Sequence, residues 1–445
     1  MLFAAGFFYL YALAFSFLPD VLYTARLLSL LAICVFLLRV IQEKGRLIVD
    51  PDLAAALVVF CLYAGWVALR TVMTGAEDVS LMVSAAVLLA QVVPGAYLLS
   101  VWSIGRGLTF RELIFLLHLI IVVQGILIIL TFLSWDFRML TLSLLHEAES
   151  NVDPLHPYRV RGLTHNTGAK LAAFQAIGLF LSVYLLLDEP RTRRIIYVFL
   201  SVPILLGSIL LTGRSGFVAI GIVLPLVVFY AVKAQVRSRT LVWSVLLSPF
   251  MVVGGFLVFE RMYLSTGGWD LSVGRDAFGA LLGWVTQEFM LYIDEGTIRT
   301  GTIGALLRDH WFWPATDSQF FFGDPRTWSL RRAGSDIGVV RLAFGAGLVG
   351  MLLLYGAFIM LAFVTVRRLR HAPEKALVIS IFAWAAIMEL KEPYLLDVRQ
   401  ASILAWLAIH TVLLQPLSVL KKEYGQLPAV ESTPPMDDAL PDYAS

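Results

Sequence analysis

A chain of 445 residues could hold two or three soluble domains, but 59% of these residues are hydrophobic and only 15% are charged, against about 25% charged in soluble proteins. With a mean hydropathy of +0.81 and apolar stretches from end to end, a soluble protein is excluded and an all-α polytopic membrane protein is expected. The net charge is only +2, and no nucleic-acid partner is expected.

In chain order, apolar runs predict spanning helices at about 1–18, 21–41, 52–72, 79–102, 112–134, 168–187, 195–211, 217–232, 241–259, 338–364, 376–390 and 401–418, about twelve in all. The first run carries no charge and no clear small-residue cleavage site, so it is read as a retained helix rather than a signal peptide. Cys34 and Cys61 fall inside apolar runs and are expected to be small buried thiols. Basic residues gather in alternate loops, among them Arg39, Lys44 and Arg46, then Arg191, Arg193 and Arg194, then Arg367, Arg368 and Arg370. Because cytoplasmic loops retain Lys and Arg, both termini are expected in the cytoplasm. The chain then divides into nine helices over 1–259, a large periplasmic loop over 260–337, three helices over 338–418, and a disordered cytoplasmic tail over 419–445. A loop of that length should contain short helices, one of them at Phe278 to Tyr292.

The basic residues comprise 27 Arg and 7 Lys, and thirteen of the fourteen on the expected external side are Arg. Arginine offers a rigid donor fork that can grip a phosphate at two points. The plainer reading is pairing with loop carboxylates or lipid headgroups. That reading weakens for Arg214, in the short reversal Leu211-Thr-Gly-Arg-Ser-Gly216, and for Arg341, which follows Ser335-Asp336-Ile-Gly338 at a membrane boundary. It weakens also for Arg161 and Lys170, which flank the polar turn Gly162-Leu-Thr-His165-Asn166. His118 and His410 lie within helices, where interhelical hydrogen bonding accounts for them. Gly345-Ala-Gly347-Leu-Val-Gly350 fits a dinucleotide-binding spacing but sits in a membrane helix with no preceding strand, so close helix packing is expected instead. No Walker A, H-E-x-x-H or D-x-D pattern occurs, and no cofactor or metal is expected.

Taken together, Arg161-Gly-Leu-Thr-His-Asn166 before a helix, Leu210-Leu-Thr-Gly-Arg-Ser-Gly216 before another, and a large external loop resemble the O-antigen polymerase and ligase superfamily. Within the loop, Ser272-Val-Gly-Arg275 and the exit Gly334-Ser-Asp-Ile-Gly-Val-Val-Arg341 are similar to the family's loop boundaries. The resemblance runs from about residue 155 to about residue 400, through short motifs rather than continuous identity. In the ligases a histidine followed by asparagine often precedes the helix after the loop. Here Ser335-Asp336 stands in that place and His310 comes too early, which favours a polymerase.

The resemblance implies joining of oligosaccharide repeat units carried on undecaprenyl diphosphate at the periplasmic face of a bacterial inner membrane. A diphosphate leaving group would be stabilised by Arg159, Arg161, Lys170, Arg214, Arg275 and Arg341, with Asp336, His165 or Glu392 as base in that order. For Asp336 the plainer alternative is an ion pair with Arg341 or a helix cap. Trp269, Trp284, Trp311, Trp313 and Trp328 could stack on sugars, although burial or interfacial anchoring is the preferred reading. Membrane lipids and a polysaccharide chain-length regulator are the expected partners. A ligase acting on lipid A core stays open. A secondary transporter also stays open, but it should show two similar halves, and the long loop has no counterpart in the first half.

Overall fold

The computed structural model describes residues 1–19, 22–42, 50–145, 160–164, 168–188, 192–213, 215–216, 221, 309–328 and 334–423. These form helices α1 (Leu2–Tyr11), α2 (Thr24–Gln42), α3 (Pro51–Thr74), α4 (Ser80–Val87), α5 (Val93–Gly105), α6 (Phe110–Leu133), α7 (Trp135–Leu144), α8 (Ala169–Asp188), α9 (Thr192–Thr212), α10 (Asp317–Phe322), α11 (Gly338–Arg368), α12 (Ala372–Glu389) and α13 (Val398–Glu423), with no strand among the described residues. Six spans are long and apolar enough to cross a bilayer: Pro51–Thr74, Ser80–Gly105, Phe110–Leu133, Ala169–Leu186, Arg193–Thr212 and Gly338–Arg368. The protein is therefore an all-α, multi-pass membrane protein. The expected helices at 217–232 and 241–259, the stretch Phe278 to Tyr292, and Trp269 and Trp284 lie outside the described residues.

Residues 401–414 of α13 are almost uninterruptedly apolar, and an apolar surface on all sides suits an interior position. Ala401 to Val412 are buried throughout, packed among α1, α5, α11 and α12. Two histidines tie helices together as expected: His118 Nε2 meets Ser182 Oγ of α8 at 2.8 Å and Ser201 Oγ of α9 at 3.2 Å, and His410 Nδ1 meets Ser103 Oγ of α5 at 2.8 Å. At one end of the bundle Asp50 caps α3 and binds Arg368 of α11 at 2.6 Å.

Two expectations need correction. The first helix was expected over 1–18 but stops at Tyr11, where Ala12 takes a left-handed conformation (φ 47°). Thr24 explains the stop, because its hydroxyl donates to the Phe8 carbonyl (2.7 Å) and accepts from the Leu13 amide (2.8 Å). The chain beyond runs irregularly and pairs with the end of α7, Ser16 N donating to Leu144 O at 2.9 Å. Cys34 and Cys61 are free thiols but exposed rather than buried, on the outward sides of α2 and α3, since an apolar bilayer accepts a thiol as readily as a protein core does.

Between α4 and α5 a π turn, Leu88–Val92, precedes Pro94. Proline supplies no N–H and its ring crowds the carbonyl four residues back. Here the carbonyls of Gln91 and Val92 are taken up by the hydroxyls of Ser29 (2.7 Å) and Tyr9 (2.5 Å). A second interruption falls at Gly347, whose φ of 69° and ψ of −179° break α11. The carbonyls around it accept from Asp324 N (to Phe344 O, 2.7 Å) and Trp66 Nε1 (to Ala346 O, 2.9 Å). The backbones of Gly323 and Gly347 touch, leaving no room for a Cβ on either, and Arg70 Nη2 donates to Gly323 O at 2.8 Å. The glycines that mimic a dinucleotide motif thus admit the loop against the helix, as close packing requires.

That φ/ψ combination is essentially closed to other residues and strain there costs about 1–3 kcal/mol before any clash. Gly347→Ala should therefore markedly lower the thermal unfolding temperature in detergent. Gly356→Ala, where a Cβ meets nothing within 4 Å, should leave it unchanged or raise it.

Candidate functional site

The segment between α12 and α13, residues 390–397, is held by the last residue of α12. Glu389 is 2% exposed, and its Oε2 accepts the backbone N–H groups of Tyr394 (2.7 Å) and Leu395 (2.9 Å). The start of α11 packs directly on this segment. A Cβ at Gly338 would lie 2.6 Å from the Glu392 carbonyl oxygen and 2.7 Å from Glu389 Oε1, so only glycine allows the approach. Residues 335–341 and 389–397 consequently make one surface, on which Asp336, Arg341, Glu392 and Lys170 interact electrostatically.

Neither plain explanation of Asp336 is observed. Its side chain is exposed, and it makes no ion pair within 4.0 Å with Arg341 among the described contacts. The cap position of α11 is Ile337, without a side-chain cap. Arg341 instead donates from Nε and Nη2 to the Trp328 carbonyl (3.2 and 3.0 Å) and lies 4.6 Å over the Trp328 ring. Trp328 is buried, as preferred, whereas Trp311 and Trp313 are exposed and pack edge to face. His310, placed too early by the sequence, folds back beside Asp336. Its Nδ1 accepts the Asp336 N–H at 3.3 Å, and its carbonyl accepts the Ser335 hydroxyl at 2.7 Å. With Nδ1 accepting, a neutral imidazole carries its proton on Nε2.

Glu392 is half-buried. Burial pushes its carboxyl above the usual range, Lys170 and Lys391 pull it back, and Asp336 and Asp397 push it further up. Asp397 shows the reverse outcome: burial alone would raise it, but Arg399 and then Lys170 outweigh burial and hold it below the usual range. The Asp397–Arg399 pair is bidentate, both contacts 3.1 Å, with Arg399 only 3% exposed.

Beside this surface lies a cavity of about 270 Å³ bordered by Tyr11, Tyr23, Arg26, Gln91, Thr164, Lys170, Asp397 and Arg399. Lys170 borders both the cavity and the carboxylates, and it makes no ion pair within 4.0 Å among the described residues.

Of the sequence-predicted residues, Asp336, Glu392, Lys170 and Arg341 come together. Arg161 is placed differently: its carbonyl accepts from Gln124 Nε2 (2.8 Å), and its guanidinium lies near that of Arg138. Burial, and then Arg138, hold the Arg161 guanidinium below its ordinary value. Arg159, His165, Arg214 and Arg275 lie outside the described residues. The residues flanking Arg214 pack at the start of α8, where Ser215 Oγ donates to Ala169 O at 3.0 Å. Arg26, Glu389 and Asp397 were not singled out from sequence. Arg26 and Glu389 are each a charge in or at the end of an apolar helix, but their roles depend on segments distant in the chain.

Glu392 carries a signed consequence. Its folded pKa is raised above the unfolded value of about 4.3, so its contribution is fully present below that pH and is lost as pH rises through the folded pKa. At neutral pH the ionised form opposes folding, and Glu392→Gln should raise the thermal unfolding temperature at pH 7 while leaving it little changed near pH 4. At the supporting residue, Glu389→Ala should lower stability by about 1–3 kcal/mol for each amide left unpaired, and Glu389→Gln, which keeps an acceptor oxygen, should lower it less; thermal melts of the purified variants decide this.

Compared with known proteins, the chain matches no family model, no curated protein and no solved structure.

Proposed function

We propose that this protein is a membrane glycosyltransferase that polymerises oligosaccharide repeat units linked to undecaprenyl diphosphate, acting at the periplasmic face of a bacterial inner membrane with twelve spans and cytoplasmic termini. The observation that carries the reading is the convergence of exposed Asp336 and half-buried Glu392 with Lys170 and Arg341 on one loop-lined end of the bundle. Carboxylates and fixed cations side by side suit a displacement in which one group must lose a proton while another departs as an anion.

In this reaction a sugar hydroxyl of the incoming unit attacks the anomeric carbon of the growing glycan. The new glycosidic bond forms as the bond to the diphosphate breaks, the diphosphate leaves with the electron pair, and a carboxylate takes the hydroxyl proton. Asp336 is the preferred base because it is exposed and free of the cap and ion pair that would occupy it. Glu392 is the alternative, its raised proton affinity making it a stronger base than an ordinary carboxylate. Lys170 and Arg341 offset charge developing on the diphosphate, and each such donor is typically worth about 2.7–4 kcal/mol at the transition state. By the motif resemblance, Arg159, Arg214 and Arg275 join them, with His165 as a further base candidate, while Arg161, which the resemblance also implies, stands beside Arg138 instead.

Transfer of finished glycan to a lipid A core is the second reading, favoured by one observation: His310 stands beside Asp336, close to where the resemblance places a ligase histidine. Polysaccharide laddering from cells lacking the gene separates the two. A core bearing a single repeat, restored to a ladder by wild type but not by Asp336→Asn or Lys170→Ala present at equal levels, is the expected outcome. Bare core with accumulated lipid-linked polymer would make the protein a ligase, and an unchanged ladder would remove both readings.

A further inference from the structure

Residues 309–328 fold back on themselves against the spanning helices α3 and α11, and their contacts fix how deep they reach. The turn is at Gly323, whose backbone touches that of Gly347. From there the chain climbs back along α11, Asp324 N–H donating to Phe344 O at 2.7 Å and Trp328 O accepting from Arg341. On the way down, the Phe312 ring packs 5.5 Å from that of Phe344, and the Phe322 ring packs 6.2 Å from Trp66 of α3.

Helix rise converts these contacts into depth. At about 1.5 Å per residue, Gly347 lies about 13 Å along α11 from its start at Gly338, and Trp66 lies about 12 Å from the end of α3 at Thr74. α3 is about 36 Å long against a hydrocarbon layer of about 30 Å, so about 3 Å stands outside at each end and Trp66 remains about 9 Å within. The exposed side of α3 is apolar up to its end, at Leu69, Val72 and Met73. The turn therefore lies inside the apolar layer, and its polar groups are matched as that position demands. Gly323 N–H donates to Gln319 O at 2.8 Å, and Gly323 O accepts from Arg70 Nη2.

The outward side of this turn is aromatic. Phe321 and Phe322 are each 46% exposed, and α10 sorts its exposed residues by height, with Asp317 and Ser318 at its start and the two phenylalanines one turn deeper. Adjacent exposed phenylalanines are unfavourable in water, whereas at the depth of Trp66 they meet acyl chains. We propose that residues 316–323 are a re-entrant hairpin whose Phe321 and Phe322 side chains insert among the lipid acyl chains of the leaflet nearest Asp336, with Asp317 and Ser318 at headgroup level. Trp311 and Trp313, exposed and packed edge to face, belong to the headgroup region, which favours such rings. The hairpin starts beside His310, which contacts Asp336, and ends at Trp328, which holds Arg341. Lipid contact thus anchors the carboxylate surface at the bilayer boundary, whatever reaction the protein performs there.

Spin labelling of the full-length protein in phosphatidylcholine nanodiscs tests this. Phe321→Cys, Phe322→Cys, Asp317→Cys and, as a reference on α3, Leu69→Cys are each made in a Cys34→Ser, Cys61→Ser background and given a nitroxide. Power saturation then reads collisions with oxygen, which concentrates among acyl chains, and with a water-soluble nickel chelate, which does not. Labels at Phe321 and Phe322 should match the one at Leu69, with nickel collisions several-fold fewer and oxygen collisions more frequent than at Asp317. Nickel collisions at either phenylalanine position as frequent as at Asp317 overturn the proposal and leave the face open to water, as a sugar-stacking surface would be. All four substitutions fall on exposed side chains, and gel filtration confirms that the variants fold. Hydroxyl-radical labelling of the unsubstituted protein in the same nanodiscs is a second measurement, in which Phe321 and Phe322 should stay unlabelled; strong labelling of either also overturns the proposal. A polysaccharide ladder unaffected by deleting the gene would remove the polymerase reading and leave this result standing.

Discussion

Backbone polar groups inside an apolar layer must find partners within the protein, because no solvent there can supply them. Three interruptions among the described helices are met by donors from elsewhere. The left-handed end of α1 is clipped by Thr24, the π turn before Pro94 by Ser29 and Tyr9, and the break at Gly347 by Trp66 and Asp324. These repairs cross from one helix to another. They therefore fix helix positions as well as satisfy the chain, and the irregular backbone they stabilise lies where the cavity and the carboxylate surface are built.

The electrostatics of that end follow from the same constraint. Glu389 stays buried because two amides face one of its oxygens, and in doing so it shapes the segment that presents Glu392 and Asp397. The two presented carboxylates diverge in proton affinity within a few residues, as burial dominates at Glu392 and neighbouring cations dominate at Asp397. One is thereby suited to holding a proton and the other to staying charged beside Arg399.

Much of the bundle was legible in the sequence, since long apolar runs such as Phe110–Leu133 have one physical solution in a membrane. Asp50 before Pro51 and Thr109 three residues before Glu112 cap their helices, a pattern carried by the sequence that the reading of it did not use. What composition could not give was tertiary: that α1 stops at Tyr11 depends on a hydroxyl thirteen residues later. In the candidate site, Lys170, Asp336, Arg341 and Glu392 could be picked out because charges at a membrane boundary are costly. Arg26 and His310 could not, since their relevance arises only when distant segments meet. Glu389 reads from sequence as an ordinary helix end, and its role appears only with the amides it receives.

The central position of α13 bears on how the chain is made. The helix at the middle of the bundle lies C-terminal to everything it packs against, so during synthesis its partners enter the bilayer before their shared core exists. The groove awaiting α13 must stay open, with Ser103 and the loop-facing carbonyl of Lys170 lacking the partners that His410 and Gln400 later provide. Closure of the bundle, burial of Arg399 and completion of the cation-lined cavity thus become a single late event, and an assembly that stalls before it would have neither a core nor a site.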